Sequence, residues 1–171
     1  IKAKGDISAN TNITIDASGD GIKSTKSLLE INGGNLNIKA GKDALQAETE
    51  LNINSGNIVA CGDRGLTGVL AVNIKGGEVL ATATDYQCEN VSATQTTLVL
   101  DYSYEWAKST EISLKQDDIV KFSKISNKKF TYAIVSGSQL TTNSSYQLFT
   151  GGFQVKPETS SSFDFIIASS V

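Results

Sequence analysis

An internal repeat of 20 to 23 residues constrains this chain more than any other feature. Three consecutive segments begin with an aspartate and contain a glycine or serine–glycine turn between two alternating apolar stretches. They are residues 20–42 (DGIKSTKSLLEINGGNLNIKAGK), 43–62 (DALQAETELNINSGNIVACG) and 63–84 (DRGLTGVLAVNIKGGEVLATAT). Residues 1–19 fit the same frame without its opening turn, and Asp85 opens a fourth segment. Repeats of this length are typical of solenoids, in which each unit buries its apolar face against the next.

Each segment contains three short apolar pieces with every other residue apolar, which is the period of a β-strand with one buried face. No window shows the spacing of an amphipathic helix, and the 15 glycines and many asparagines indicate tight turns. Three short strands per coil of about 21 residues therefore predict an all-β chain that winds into a right-handed parallel β-helix.

The repeat ends near residue 90, and the pattern that follows is different. Alternating strands rich in aromatic residues continue to the C-terminus. Because the end of a solenoid exposes apolar side chains and unpaired backbone groups, we predict β-helix coils over residues 1–90 and a continuous β-rich cap over 91–171. At the other end Ile1 falls in the middle of a coil, so we expect an open edge through which another chain, including a second copy, can pair.

The repeated aspartates Asp20, Asp43, Asp63 and Asp85 are the main candidates for a site. Carboxylates one coil apart lie about 5 Å from each other and repel strongly. Solvent, lysines, a raised pKa or a hard cation can relieve this repulsion, and Ca²⁺ accepts six to eight oxygens of this kind. Aspartate also suits a turn for local reasons, since its side chain bonds nearby backbone N–H groups. From the residues alone, the local role in the turn is favoured over Ca²⁺ between adjacent coils.

Two asparagines occupy the same turn position in successive coils. They are Asn32 and Asn54, and Asn10 falls at the matching place one coil earlier. Stacked amides can hydrogen-bond in a ladder, which we predict here in preference to a ligand site.

Composition excludes several function classes. The net charge is −3 with scattered lysines, whereas nucleic-acid binding requires a basic face. No apolar run approaches the ~20 residues of a membrane span. The chain has no histidine and a single arginine, Arg64. It therefore offers few residues that could act as the catalytic base of a polysaccharide lyase. We therefore predict a protein that is not an enzyme.

The segments GDGIKS, LEINGGNLNI, GKDALQA and LNINSGNIVACGD, with SSYQLFTGG and SFDFIIASSV further on, resemble the DUF4353 family of carbohydrate-binding domain-containing proteins. The resemblance implies a secreted or surface-anchored bacterial protein with a pectate-lyase-like β-helix. It also implies calcium-binding acidic residues at one turn and, in some members, binding of plant cell-wall polysaccharide, including acidic pectin. Together with the repeat, the resemblance favours Ca²⁺ between adjacent coils at the repeated aspartates. The chain has one acidic residue per turn where the family pattern GDDGI has two.

Three hypotheses for function follow. The first is a binding module that holds polysaccharide through bridging Ca²⁺ or by stacking sugars on exposed aromatic rings, for which Tyr104 and Trp106 are candidates. The second is a surface filament or matrix subunit that assembles through open strand edges. The third is a lyase, which the lone arginine disfavours.

The two cysteines fall one coil apart. Cys61 precedes the turn at Asp63 and Cys88 follows the turn at Asp85. This spacing is compatible with a disulfide in an exported protein or with two inert buried thiols.

Overall fold

The computed structural model describes residues 1–85, 90–161 and 164–169, and its side chains up to Val155. Over this range the chain forms strands and turns without a helix. The strands build a β-solenoid of about four turns with a parallel stack, which confirms the all-β solenoid predicted from the repeat. No described segment is a helix long and apolar enough to cross a membrane.

The described strands, in chain order, are β1 (Lys2–Ala3), β2 (Ile7–Asn10), β3 (Ile13–Ala17), β4 (Ile22–Ser24), β5 (Leu29–Ala40), β6 (Asp43–Ala47), β7 (Glu50–Cys61), β8 (Arg64–Gly68), β9 (Ala71–Ile74), β10 (Glu78–Ala83), β11 (Val91–Ala93), β12 (Thr97–Trp106), β13 (Glu111–Gln116), β14 (Ile119–Ile125), β15 (Phe130–Ser136), β16 (Gln147–Thr150), β17 (Phe153–Ser161) and β18 (Asp164–Ser169).

Parallel pairing runs along three sides of each coil. One side is the four-stranded sheet β1-β4-β6-β8. On the other two sides, the first half of β5 pairs with β2 and its second half with β3, while β7 pairs in the same way with β9 and β10. In β5 and β7 the two apolar stretches beside the glycine turn thus belong to one long strand, whereas in the next coil they are the separate strands β9 and β10. Gly34 (φ 85°) and Gly56 (φ 119°) bend β5 and β7 in the left-handed region that favours glycine.

Aliphatic side chains stack in columns inside the solenoid. One column consists of Leu29, Leu51 and Val72, and a second consists of Ile31, Ile53 and Ile74. Every member is at most 1% exposed. Burying one such side chain contributes about 1.5–3 kcal/mol, and each coil buries its own by contact with the coils beside it.

Asparagine amides stack on the outside of the same coils. Nδ2 of Asn54 donates to Oδ1 of Asn32 at 2.7 Å, which confirms the predicted ladder between these two residues. One coil earlier, Nδ2 of Asn32 donates to Oγ of Ser8 at 2.9 Å. A serine therefore takes the place that the sequence alignment assigned to Asn10.

The C-terminal strands extend one side of the solenoid and add a second layer. β15 pairs antiparallel with β10, and β12 pairs with β15 and β18. The pairing continues through β17, β16, β13 and β14. A second core, which includes Leu80, Leu100, Phe122 and Phe130, joins these strands. The parallel stack itself continues to β11, which pairs with β9, and the division at residue 90 stays a prediction.

The loop between β14 and β15 holds this C-terminal part against three successive coils. Oγ of Ser126 lies 2.9 Å from Oγ1 of Thr82 on β10 and 3.6 Å from Sγ of Cys61 on β7. Nδ2 of Asn127 donates to Oδ1 of Asn37 on β5 at 2.8 Å. Because these contacts span three coils, the loop restrains the register of the stack from outside.

Replacing Ile53 by Ala removes the middle residue of one buried column. We expect the free energy of unfolding to fall by about 2–5 kcal/mol, since the cavity lies between fixed neighbours on both sides. Urea unfolding followed by circular dichroism measures the change. Ile119→Ala is the matched control because this side chain is 59% exposed, and its effect should stay within about 0.5 kcal/mol. Similar losses in the two variants would contradict the column.

Candidate functional site

The turn that carries the repeated aspartates borders an open polar cleft of about 640 Å³. Strands β4, β6 and β8 and the adjoining turns supply most of its walls. The residues that line it are Asp20, Lys23, Lys42, Asp43, Gln46, Asp63, Arg64 and Asp85. The fold therefore brings all four aspartates singled out from the repeat to one place, which we call the aspartate cleft.

The four aspartates do not form one continuous column. Asp20 and Asp43 each stand two residues before an inward apolar residue, so the register of β4 with β6 places them opposite each other. Asp63 stands three residues before Leu66, the inward residue of β8. The register of β6 with β8 therefore pairs Asp43 with Arg64. Stacking of the apolar residues sets this register. As a result, Asp43 faces Arg64 in an ion pair and does not face the carboxylate of Asp63.

Basic side chains neutralise three of the four carboxylates. Arg64 donates from Nε and one terminal nitrogen to the two oxygens of Asp43 at 2.8 and 3.0 Å. The Asp43 side chain is only 4% exposed, whereas that of Arg64 is 46% exposed, so the carboxylate is shielded from water and the guanidinium is only partly covered. The other two pairs join Lys23 to Asp20 at 3.1 Å and Lys128 of the β14–β15 loop to Asp63 at 3.3 Å. Lysine and arginine thus relieve the repulsion expected from the sequence.

As arranged, the aspartates do not fit a calcium shell. Ca²⁺ requires six to eight oxygens at 2.3–2.6 Å. Among the residues that the structure describes, no group of three or more Asp, Glu, His or Cys side chains could hold a metal ion. A cation at this turn would also have to displace the basic partners of Asp20, Asp43 or Asp63. Calcium binding stays a prediction from the sequence.

One polar atom of the cleft is buried without a partner. Oε1 of Gln46 accepts no hydrogen bond from the described residues, although Gln46 lies between Lys23 and Thr67 in the register of β4, β6 and β8. A buried acceptor that is left unsatisfied costs about 1–3 kcal/mol. A hydroxyl group of a ligand is the kind of donor that would remove this cost.

The predicted site did not include Lys23 or Gln46, because the prediction followed only the repeated acid, and Arg64 was considered only as a lyase base. Lys23 and Gln46 each stand three residues after a repeated aspartate, so their shared offset was a usable signal. Lys128 is 65 residues from Asp63 along the chain, and only the folding of the β14–β15 loop brings them together.

The two aromatic candidates lie on β12, away from the lining of the aspartate cleft. The rings of Tyr104 and Trp106 are 4.9 Å apart between centroids and inclined at 45°. Tyr104 is 38% exposed, whereas Trp106 is half-buried against the second core and contacts Tyr102 edge to face. Tyr104 therefore presents more of its ring to solvent, and sugar stacking on this pair stays a prediction.

The disulfide, one of the two alternatives for the cysteines, falls partly outside the described residues, because these do not include Cys88. Cys61 is buried at the end of β7, where its sulfur lies 3.6 Å from Oγ of Ser126. Its observed contact is thus with the loop that holds the C-terminal part in place, and the pairing with Cys88 stays a prediction.

Replacing Arg64 by Gln leaves the buried Asp43 carboxylate without its bidentate partner. We expect the free energy of unfolding to fall by about 1–3 kcal/mol, because the carboxylate remains desolvated and loses charged hydrogen bonds. Urea unfolding measures this. Lys39→Gln is the control, since the pair of Lys39 with Asp16 is 45% and 72% exposed and such surface pairs contribute about 0–1 kcal/mol. An Arg64 variant as stable as the control would show that the pair is not structural.

Comparison with known proteins identifies the family of the chain. The model of the carbohydrate-binding domain-containing protein family matches residues 1–154, which include the parallel coils, the aspartate cleft and the aromatic pair. No curated protein matches the chain, and no solved structure does. Because the match covers most of the sequence, the chain belongs to the family of carbohydrate-binding domain-containing proteins.

Proposed function

We propose that this protein binds polysaccharide without cleaving it and that the aspartate cleft is the binding site. The observation that carries the proposal is that one open cleft is lined by both hydrogen-bond acceptors and hydrogen-bond donors. The carboxylates accept from sugar hydroxyls, while lysine, arginine and glutamine side chains donate to them. A cleft built on successive coils suits a ligand that is itself a repeating chain.

The charge balance of the cleft bears on the class of glycan. Its lining carries four carboxylates against two ammonium groups and one guanidinium. A nearly neutral cleft of this kind favours the hydroxyls of a neutral glycan. Binding of an acidic cell-wall polysaccharide at the same place, which the resemblance to the DUF4353 family implies, would need a bridging cation. Comparing the binding of neutral and acidic glycans therefore distinguishes direct hydrogen bonding from binding through a bridging cation.

A non-catalytic role agrees with the surroundings of the one arginine. A lyase base must have a free pair of electrons directed at its substrate, whereas Arg64 is held by both carboxylate oxygens of Asp43. Membership of a carbohydrate-binding family also suggests binding and not turnover. We propose no reaction for this protein.

Gln46→Ala tests the cleft directly. We expect binding of the retained polysaccharide to weaken about two- to tenfold, the effect of losing one hydrogen-bonding group. Affinity electrophoresis in gels that contain neutral or acidic polysaccharide measures the retardation. Gln147→Ala on β16 is the matched control, since this side chain is exposed and does not line the cleft.

The same gels distinguish the cleft from the aromatic pair. If Tyr104→Ala removes retardation and Gln46→Ala leaves it unchanged, the glycan stacks on β12 and the aspartate cleft is not the site. If none of the gels retards the wild-type protein, the proposed function is wrong.

Calcium is the second part of the proposal, and it requires the cation to displace the basic partner of at least one of Asp20, Asp43 and Asp63. A cation that binds only the folded protein raises the melting temperature, so we expect a higher value in millimolar Ca²⁺ than in EDTA. The increase should be larger in Arg64→Gln, because Asp43 is then free of its guanidinium partner. Differential scanning calorimetry measures both, and equal melting temperatures with and without Ca²⁺ in the two proteins would remove calcium from the proposal.

Location outside a bacterial cell and self-association are the remaining parts. The first coil offers a place for association, since β1 pairs only with β4, and β2 and β3 only with β5, among the described strands. Backbone groups on the other side of these strands can pair with another chain. Assembly through this edge is compatible with glycan binding, because the aspartate cleft lies on the turns of later coils.

A further inference from the structure

A second cleft, of about 460 Å³, lies where the outer face of the solenoid meets the C-terminal layer. Asn37 of β5 and Val59 of β7 form one wall, and these residues are paired in register. The end of β14 and the loop that follows form the other wall. The β14–β15 loop borders both clefts, because Asn127 lines this one while Lys128 reaches Asp63 of the aspartate cleft.

Among the described residues that line the second cleft, Lys124 is the only charged one. Its ammonium group is half-buried and donates to Oδ1 of Asn57. Among the described residues, no carboxylate lies within ion-pair distance of it. Burial lowers the pKa of Lys124, and the more distant charge of Glu78 opposes this shift only in part. The cleft therefore contains a partly desolvated cation whose charge is not neutralised.

Polar groups surround this cation. Oδ1 of Asn127 is buried and accepts no hydrogen bond from the described residues, although its Nδ2 donates to Asn37. Ser109 and Ser123 also line the cleft, and Oγ of Ser123 donates to a carboxylate oxygen of Glu111. A ligand with several hydroxyl groups can donate to the free amide oxygen and exchange hydrogen bonds with the serines.

Two aliphatic side chains complete the lining. Val59 is half-buried, and Ile125 is 57% exposed although it lies beside the cleft. A pyranose ring has an apolar face of C–H groups and a polar edge of hydroxyls, so it can cover Val59 and Ile125 while its edge meets the amides. An inorganic anion would use Lys124 but leave these apolar surfaces exposed to water.

We propose that the second cleft binds a carboxylated sugar, with the ammonium group of Lys124 holding the carboxylate. Hydrogen bonds between charged partners are roughly twice as strong as neutral ones, so this contact distinguishes a uronate from the corresponding neutral sugar without calcium. The proposal rests on the proposed polysaccharide binding, which it extends to a second site with a different charge preference. The aspartate cleft, whose lining carries four carboxylates against three cations, is not expected to share this preference.

The test uses uronic acid trimers of gluco and galacto configuration, each compared with its own methyl ester in EDTA. The ester removes the negative charge and keeps the sugar skeleton. We expect the wild-type protein to bind at least one acid trimer about tenfold more tightly than its ester, because the carboxylate gains a charge-assisted hydrogen bond. Isothermal titration calorimetry measures both dissociation constants.

Lys124→Gln should reduce this ratio to about one to two, because the amide keeps a donor for Asn57 and loses the charge. Lys121→Gln, on the same strand but outside the cleft lining, is the control for net charge and should keep the wild-type ratio. Equal ratios in the two variants, or no preference for either acid trimer in the wild type, would overturn the proposal.

The gel result for Gln46→Ala, compared with the titration result for Lys124→Gln, keeps this proposal separate from the proposed function. A ratio that depends on Lys124 while polysaccharide retention is insensitive to Gln46 supports the second cleft and contradicts the aspartate cleft. If retention in the gels depends on Gln46 and the acid-to-ester ratio does not depend on Lys124, the aspartate cleft is supported and the second cleft is contradicted.

Discussion

Stacking of inward aliphatic residues is the constraint on which the other features of this protein depend. Each coil is too short to bury its own apolar side chains, so Leu51 and Ile53 are covered only because the neighbouring coils supply matching residues. The backbone register that results is shared by the outward-facing residues. Which polar side chains meet on the surface is therefore decided inside the solenoid. The pairing of Asp43 with Arg64 is the clearest consequence, since it follows from the pairing of two leucines, Leu45 with Leu66.

Strand β10 connects the solenoid to the C-terminal layer, because its side chains pack in both cores. Its residues alternate between two cores: Val79 and Ala81 pack inside the solenoid, and Leu80 packs under the second layer. The β14–β15 loop then bonds to β5, β7 and β10. Because one strand serves two cores and one loop contacts three coils, the two parts of the fold are mechanically coupled. Shifting one coil would disturb both.

This coupling places two clefts of different character beside one loop. In the aspartate cleft, three cations face four carboxylates, and Lys23 and Arg64 are paired with two of these. Among the described residues that line the second cleft, Lys124 is the one that carries a charge, and amide, hydroxyl and aliphatic residues make up the rest. The two clefts therefore differ in charge although one loop borders both.

The sequence by itself determined the parallel solenoid, the contact between Asn32 and Asn54, and the gathering of the four aspartates, because a repeat places like residues at like positions. It did not determine the partners of those aspartates. One extra residue before Leu66 brings Arg64 opposite Asp43, and a distant loop brings Lys128 to Asp63. The second cleft could not be predicted from the sequence either, because the residues of its two walls are far apart in the chain and belong to no shared repeat. These features depend on register and on long-range packing, which only the tertiary structure decided.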